Sequence, residues 1–138
     1  MTVLTEWRVP PANQPRASDY GFDLDRALAS VVGVHAIIPP DAFSAETLGT
    51  ERAGNGVVID DGLVLTIGYL ITEAESVWLH RGDGHVVEGH VLGFDAVTGF
   101  GLVQALGRLD IEPLPLGSSA ETRLGDRVVV GEIGRAHV

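Results

Sequence analysis

Short runs of β-branched and apolar residues, separated by glycine, proline and aspartate, are the feature that most limits the folds open to this chain. Residues 31–38 form such a run, and Pro39-Pro40 ends it because proline cannot donate to a strand ladder. Tight-turn chemistry at Asp60-Asp61-Gly62 separates the next two runs. The remaining predicted strands cover residues 76–80, 85–94, 100–105 and 127–130. This spacing, with 18 glycines and seven prolines, predicts an all-β fold, an antiparallel barrel or sandwich.

The two ends of the chain differ from this strand-rich middle. Residues 1–22 contain three prolines and little periodicity, which predicts an extended N-terminal arm. Asp23 is a plausible N-cap for a short helix over residues 24–29, because its carboxylate can accept from free backbone N–H groups. We therefore expect an arm at 1–22, a barrel at 23–105 and an extended connection at 106–138.

Charge and composition exclude several classes of partner. The net charge is −10, and the nine basic residues are all arginines scattered singly along the chain, so a phosphate-binding surface is not expected. We accordingly predict neither nucleic-acid nor membrane binding. There is no cysteine, no apolar stretch near the roughly 20 residues of a membrane span, and no signal-peptide pattern, from which we expect a cytoplasmic protein.

Five segments occur in the order and spacing of a known family. Residues 54–60 read GNGVVID and are followed by GLVLT at 62–66; the others are DG with VLGFD (83–84 and 91–95), TGFGLV (98–103), PLPLGSS (113–119) and LGDRVVV (124–130). Over roughly residues 28–131 the chain resembles the first β-barrel of the HtrA/Deg-type trypsin-like serine proteases. The resemblance implies a six-stranded antiparallel barrel that, in the family, pairs with a second barrel.

The resemblance also implies where catalytic residues would stand. In the family the histidine lies just after the third strand, where this chain has Tyr69, and the aspartate lies in the TDLAVL segment, where it has Gly99. The family's serine would lie beyond Val138. A phenol with a pKa near ~10 is a poor base at neutral pH, and glycine has no carboxylate. We predict that Tyr69 and Gly99 lie within about 10 Å of each other and form no intact catalytic site.

Other residue patterns carry weaker signals. His80, His85 and His90 suggest a metal, but residues five apart on a strand face opposite sides, so no metal and no cofactor is expected. Arg81-Gly82-Asp83 is explained by turn chemistry. Glu73 and Glu75 are expected to face water, and Trp7 and Trp78 suit either a binding surface or packing. The resemblance implies that Gly54-Asn55-Gly56 lets its strand approach a second barrel.

Three functions remain open. The first is a non-catalytic, protease-like domain that binds a protein, a peptide, a second barrel or its own copy. The second is the N-terminal half of a longer two-barrel serine endopeptidase-like protein. The third, an enzyme using Tyr69, is disfavoured because nothing nearby in sequence would lower the pKa of that phenol. Three adjacent valines at 128–130 further predict strand pairing between chains, and hence a homo-oligomer with residues 106–130 or the arm 1–22 in the contact.

Overall fold

Six antiparallel strands close into a barrel in the computed structural model, which describes residues 9–133 and 135–137. They are β1 (Val31–Ile37), β2 (Glu51–Asp60), β3 (Leu63–Ile67), β4 (Ser76–His80), β5 (Val86–Phe94) and β6 (Phe100–Ala105). The order around the barrel is β1-β2-β3-β6-β5-β4, and the pairing of β4 with β1 closes it. The all-β, six-stranded antiparallel barrel expected from the sequence is confirmed.

The barrel interior is filled mainly by valine, because alternate residues of each strand point inward and a six-stranded barrel is narrow. In β1, Val32, Val34 and Ala36 are fully buried, while the residues between them face outward. Strands β2, β3, β4 and β6 contribute the fully buried side chains Val58, Val64, Val77, Leu79 and Val103. The alternation seen in the sequence thus separates an inner from an outer face on each strand.

Three short helices accompany the barrel: α1 (Leu24–Ala29), α2 (Ala45–Leu48) and α3 (Gly68–Ile71). Helix α1 begins as predicted, with Asp23 Oδ1 accepting a hydrogen bond of 3.0 Å from Arg26 N. Helix α2 lies in the connection between β1 and β2, and β2 begins at Glu51. Two 3-10 turns, Pro11–Asn13 and Ala17–Asp19, occupy the described part of the arm; residues 1–8 of that prediction lie outside the described residues.

The start predicted for the strand at residues 127–130 is wrong, because the strand begins at Val130. Residues 127–129 form no strand; β7 covers Val130–Glu132 and pairs with β8 (Arg135–His137) as a hairpin within the same chain. Within residues 9–133 and 135–137 no strand pairs with Val128 or Val129, and β-propensity alone does not form a strand. The valines are therefore not an unpaired strand in need of a second chain.

The β7–β8 hairpin rests on the outside of the barrel. Ile133 N donates a hydrogen bond of 2.9 Å to Asn55 Oδ1 of β2, and a methyl group at Gly33 of β1 would lie 3.3 Å from Ile133 Cδ1. Residues 106–129 lead to it without regular structure, although Leu109 is buried and Leu114 N donates to Val58 O at 2.8 Å. No helix in the described residues is long and apolar enough to cross a membrane.

Candidate functional site

The two positions where the resembling family has its histidine and aspartate lie in adjacent segments. Tyr69 is in α3, directly after β3, and Gly99 closes the turn between β5 and β6. Gly68 N donates a hydrogen bond of 2.7 Å to Gly99 O. Standard bond lengths along this path limit the Cα–Cα distance between Tyr69 and Gly99 to roughly 10 Å. The hydrogen bond thus joins the segment after β3 to the turn between β5 and β6.

Tyr69 offers little chemistry at this position. Its side chain is 51% exposed, and among the described residues its hydroxyl has no hydrogen-bond partner. The backbone of the residue is engaged, since Tyr69 O accepts a bond of 2.7 Å from Arg52 Nη1. Tyrosine has no imidazole nitrogen, so it does not supply the base that a serine nucleophile needs.

Gly99 adopts a backbone conformation that favours glycine. Its φ is +78°, in the left-handed region, and its N–H donates to Asp95 O at 2.8 Å. The nearest carboxylate in sequence, Asp95, is used inside the turn, where it accepts from Val97 N and from Thr98 Oγ1, both at 3.0 Å. These hydrogen bonds, the Val97 N–H first, lower the pKa of Asp95. Asp95 therefore stabilises the turn and does not replace the family's aspartate.

Arg52 holds α3 in place, a role that no sequence pattern indicated. Arg52 is only 4% exposed, although it is the second residue of β2 and lies near one end of the barrel. Its guanidinium donates to Tyr69 O at 2.7 Å and Thr72 O at 3.1 Å, and further bonds run to Gly49 O (3.2 Å) and Ser44 Oγ (2.8 Å). The planar, many-donor guanidinium suits such a set of carbonyls. No local pattern distinguishes Arg52 from the surface arginines, because all its partners except Gly49 are distant in sequence and come close to it only in the folded chain.

Glu73 faces water as predicted, yet it is engaged. It has a positive φ of 60°, and its carboxylate accepts from Phe43 N at 3.0 Å and Ser44 N at 2.7 Å. Hydrogen bonding from Ser44, by side chain and then backbone, is the main reason that the pKa of Glu73 lies below its ordinary value, with smaller effects from Phe43 and Arg52. Glu73 and Arg52 together fix the loop between β1 and β2 against the segment that follows α3.

The lowered pKa of Glu73 predicts a pH-dependent contribution to stability. The stabilisation is present above the ordinary carboxyl pKa of about 4.3 and is lost as the pH falls through the lower value of the folded state. We expect Glu73→Gln to be less stable than wild type at pH 7, with a difference that shrinks below about pH 4. Urea midpoints measured from pH 7 to pH 3 test this, with the exposed Glu121→Gln as control. A difference that stays constant across this range would contradict the assignment.

The remaining candidates have local structural roles. Arg81 Nε donates to Asp83 Oδ1 at 2.9 Å and Arg81 Nη1 donates to Leu109 O at 2.8 Å, so the Arg-Gly-Asp tripeptide closes on itself and anchors the following connection. His85 contacts Arg108 O at 3.1 Å. Within the described residues no group of three or more His, Asp and Glu side chains could hold a metal. Trp78 points outward from β4, 38% exposed, so it does not pack inside the barrel.

Gly54 and Gly56 serve the barrel interior, and the approach of their strand to a second barrel stays a prediction. A methyl group at Gly54 would lie 2.6 Å from Leu70 Cδ1, and one at Gly56 would lie 2.5 Å from Val64 Cγ1. Both distances are far below van der Waals contact. The glycines therefore leave room for Leu70 and Val64 in the barrel, while Asn55 between them faces outward and accepts from Ile133 N.

Comparisons with known proteins agree with the geometry. The family model described as "Trypsin-like peptidase domain" matches residues 54–137, more than half of the chain. Serine protease HTRA2, mitochondrial, of Bos taurus is 28% identical over 129 residues, covering 92% of this chain and 28% of the relative. Serine endoprotease DegS of Salmonella typhimurium is 24% identical over 113 residues, covering 81% of this chain and 32% of the relative. The chain thus spans less than a third of the length of each of these relatives.

Proposed function

This chain belongs to the HtrA/Deg-type family of trypsin-like peptidases, and we propose that within that family it is a non-catalytic domain used for protein or peptide binding or for assembly. The observation that carries the proposal is the pair of replacements at neighbouring positions. Tyr69 and Gly99 stand where the family has its histidine and aspartate, and their segments are joined by the Gly68–Gly99 hydrogen bond.

Serine-protease chemistry needs both missing groups. The serine hydroxyl must lose a proton to a base as it attacks, and a carboxylate must fix the tautomer of that base and stabilise the cation that forms. The phenol of Tyr69 does neither, and Gly99 has no side chain. A serine supplied from elsewhere would therefore meet neither a base nor its carboxylate at this barrel. This is why we favour a binding role over a catalytic one.

A second candidate is that this barrel is the N-terminal half of a longer, two-barrel serine endopeptidase-like protein. The length of the relatives favours it, since each is more than three times as long as the part matched here. A Gly-x-Ser-Gly-Gly-like segment in the reading frame after Val138 would support this candidate. Such a protein would still need a base from a residue other than Tyr69.

The purified chain is expected to release no peptides from casein above the rate of a buffer blank. Without base and carboxylate, little transition-state stabilisation remains beyond binding. Fluorescent casein, with trypsin as the positive control and Tyr69→Phe as the matched variant, measures this directly. Turnover that follows the protein through a second purification would contradict the proposal. Loss of that turnover in Tyr69→Phe would then point to an enzyme that uses the phenol.

The partner is proposed to be a protein or peptide, with self-association as one form. The valine segment at 128–130 no longer supplies the reason, because β7 finds its partner within the chain. Residues 106–130 and the arm 1–22 are the contact regions that we propose.

A further inference from the structure

Trp78 stands in the middle of an outward-facing row of side chains that crosses three neighbouring strands. It pairs with His35 of β1 on one side and with Glu88 of β5 on the other. Side chains directly opposite each other on one face of an antiparallel pair have Cβ atoms about 4.5–5.5 Å apart. The indole of Trp78 therefore lies between an imidazole and a carboxylate, and the residue is 38% exposed.

The indole ring and the neighbouring carboxylate are both open to a ligand. Within residues 9–133 and 135–137, the ring of Trp78 contacts no other aromatic ring and no guanidinium. In the same part of the chain, no hydrogen bond or ion pair engages the carboxylate of Glu88, which is an exposed residue. An open aromatic face beside an unpaired carboxylate attracts a cation, because the ring quadrupole and the carboxylate are both negative towards it.

Negative charge dominates the surroundings of Trp78. Beyond His35 lies Glu51, whose Oε1 is 2.8 Å from His35 Nε2 and whose side chain is 71% exposed. The residues of β1 and β4 include no arginine, and Arg81, which follows β4, is already held by Asp83 and by the backbone of the later connection. The net charge of −10 adds long-range attraction for a basic partner.

We propose that Trp78 and Glu88 bind an arginine side chain of a basic protein or peptide, an inference that rests on the proposed binding role of this domain. The planar guanidinium stacks on the indole while its N–H groups donate to the Glu88 carboxylate. Val86 is 42% exposed and lies diagonally beside Trp78, so it offers apolar surface to the stem of the arginine. Lysine suits the site less, because an ammonium group has no flat face to stack on the ring.

The openness of the site predicts weak binding that depends on salt. Neither the ring of Trp78 nor the carboxylate of Glu88 is buried, so a short peptide makes few contacts and pays most of its ordering entropy. A Kd of roughly 1 mM is expected for such a peptide. Added salt is expected to weaken the binding, because it screens the attraction between opposite charges in water.

NMR of the full chain tests the binding, because the sequence has two tryptophans and each gives one indole N–H signal. The signal that disappears in Trp78→Phe is that of Trp78. The probe is an acetylated Gly-Arg-Gly-Arg-Gly amide, and the control peptide carries citrulline at both arginine positions, which keeps the shape and removes the charge. The arginine peptide is expected to shift the Trp78 signal in a saturable way, and the citrulline peptide is expected to leave it in place.

Two glutamate variants separate a specific site from general attraction. Glu88→Gln and Glu121→Gln each remove one negative charge from an exposed residue, so they change the net charge equally. Glu88→Gln is expected to raise the Kd about threefold or more, whereas Glu121→Gln is expected to leave it unchanged. Trp78→Leu keeps an apolar side chain but has no ring, and it is also expected to raise the Kd about threefold or more, measured from the backbone signal of Glu88.

A Trp78 signal that stays in place, or that shifts equally with the citrulline peptide, would overturn the proposal. Equal effects of Glu88→Gln and Glu121→Gln would also overturn it, because net charge alone would then explain the binding. Movement of the Trp78 signal on dilution without peptide would assign this face to a second copy instead. The spread of the amide signals shows whether each variant is folded, and Glu88→Gln decides the question if Trp78→Leu is not. Casein turnover would contradict the non-catalytic role and leave the peptide binding intact, so the two failures are distinguishable.

Discussion

Replacing Arg52 by alanine is expected to lower the free energy of unfolding by roughly 3–5 kcal/mol. The guanidinium is buried, and its removal takes donors from the carbonyls of Gly49, Tyr69 and Thr72. Each of these hydrogen bonds contributes about 1 kcal/mol, and a buried acceptor left without a partner costs more. The chain would also lose the packing of the arginine stem. Urea unfolding, followed by circular dichroism, measures the difference.

Two further arginine variants make the Arg52 experiment specific. Arg52→Lys keeps the charge but cannot form the forked set of bonds, so its loss should be intermediate. Arg108→Ala changes a side chain that is 90% exposed and should alter stability by no more than about 0.5 kcal/mol. Equal, small losses in all three variants would show that Arg52 does not organise α3.

Replacing Gly56 by alanine is expected to cost about 2 kcal/mol because the added methyl group has no space. It would lie 2.5 Å from Val64 Cγ1, 3.1 Å from Val34 Cγ2 and 3.2 Å from Leu65 O. Both valines are fully buried in the barrel, so neither side chain has an open direction in which to move. The urea midpoint should fall without a change in the slope of the transition.

A double substitution tests the cause of the Gly56 effect. Val64→Ala removes the methyl group that the new Cβ would strike, so the double variant should be more stable than the sum of the two single losses predicts. Gly82→Ala is the matched control, because no heavy atom lies within 4 Å of a methyl group there. Strict additivity of Gly56→Ala and Val64→Ala would contradict a steric clash between them.

Much of the barrel could be predicted from the sequence because its signals are local. The run at 31–38 alternates inward and outward residues and is followed by two prolines, which cannot continue a ladder, and β1 ends at Ile37. The turn at Asp61-Gly62 and the cap at Asp23 also act within a few residues of themselves. The expectation that Tyr69 and Gly99 lie in neighbouring segments came from the resemblance to a known family, and Gly68 N bonds to Gly99 O.

The parts that were missed depend on contacts between distant residues. Arg52 reads as a surface arginine until the loop at Ser44 and the α3 carbonyls surround it. Val128 and Val129 are strand-forming residues, but in the described part of the chain no strand pairs with them. Phenylalanine is a residue type common in protein cores. Only the structure shows that Phe43 is exposed, on a loop whose backbone donates a hydrogen bond to Glu73. Each case needs the three-dimensional neighbours of the residue.

The strand order has a consequence for synthesis of the protein. β6, the last barrel strand in the chain, lies between β3 and β5, and the two pairings that it makes join both halves of the barrel. A nascent chain lacking residues 100–105 therefore leaves Val64 and Val91 without their partner Val103. This core can therefore form only after the sixth strand has left the ribosomal exit tunnel. A ribosome adds about 5–20 residues per second, and until then the shorter nascent chain exposes its valines to chaperones.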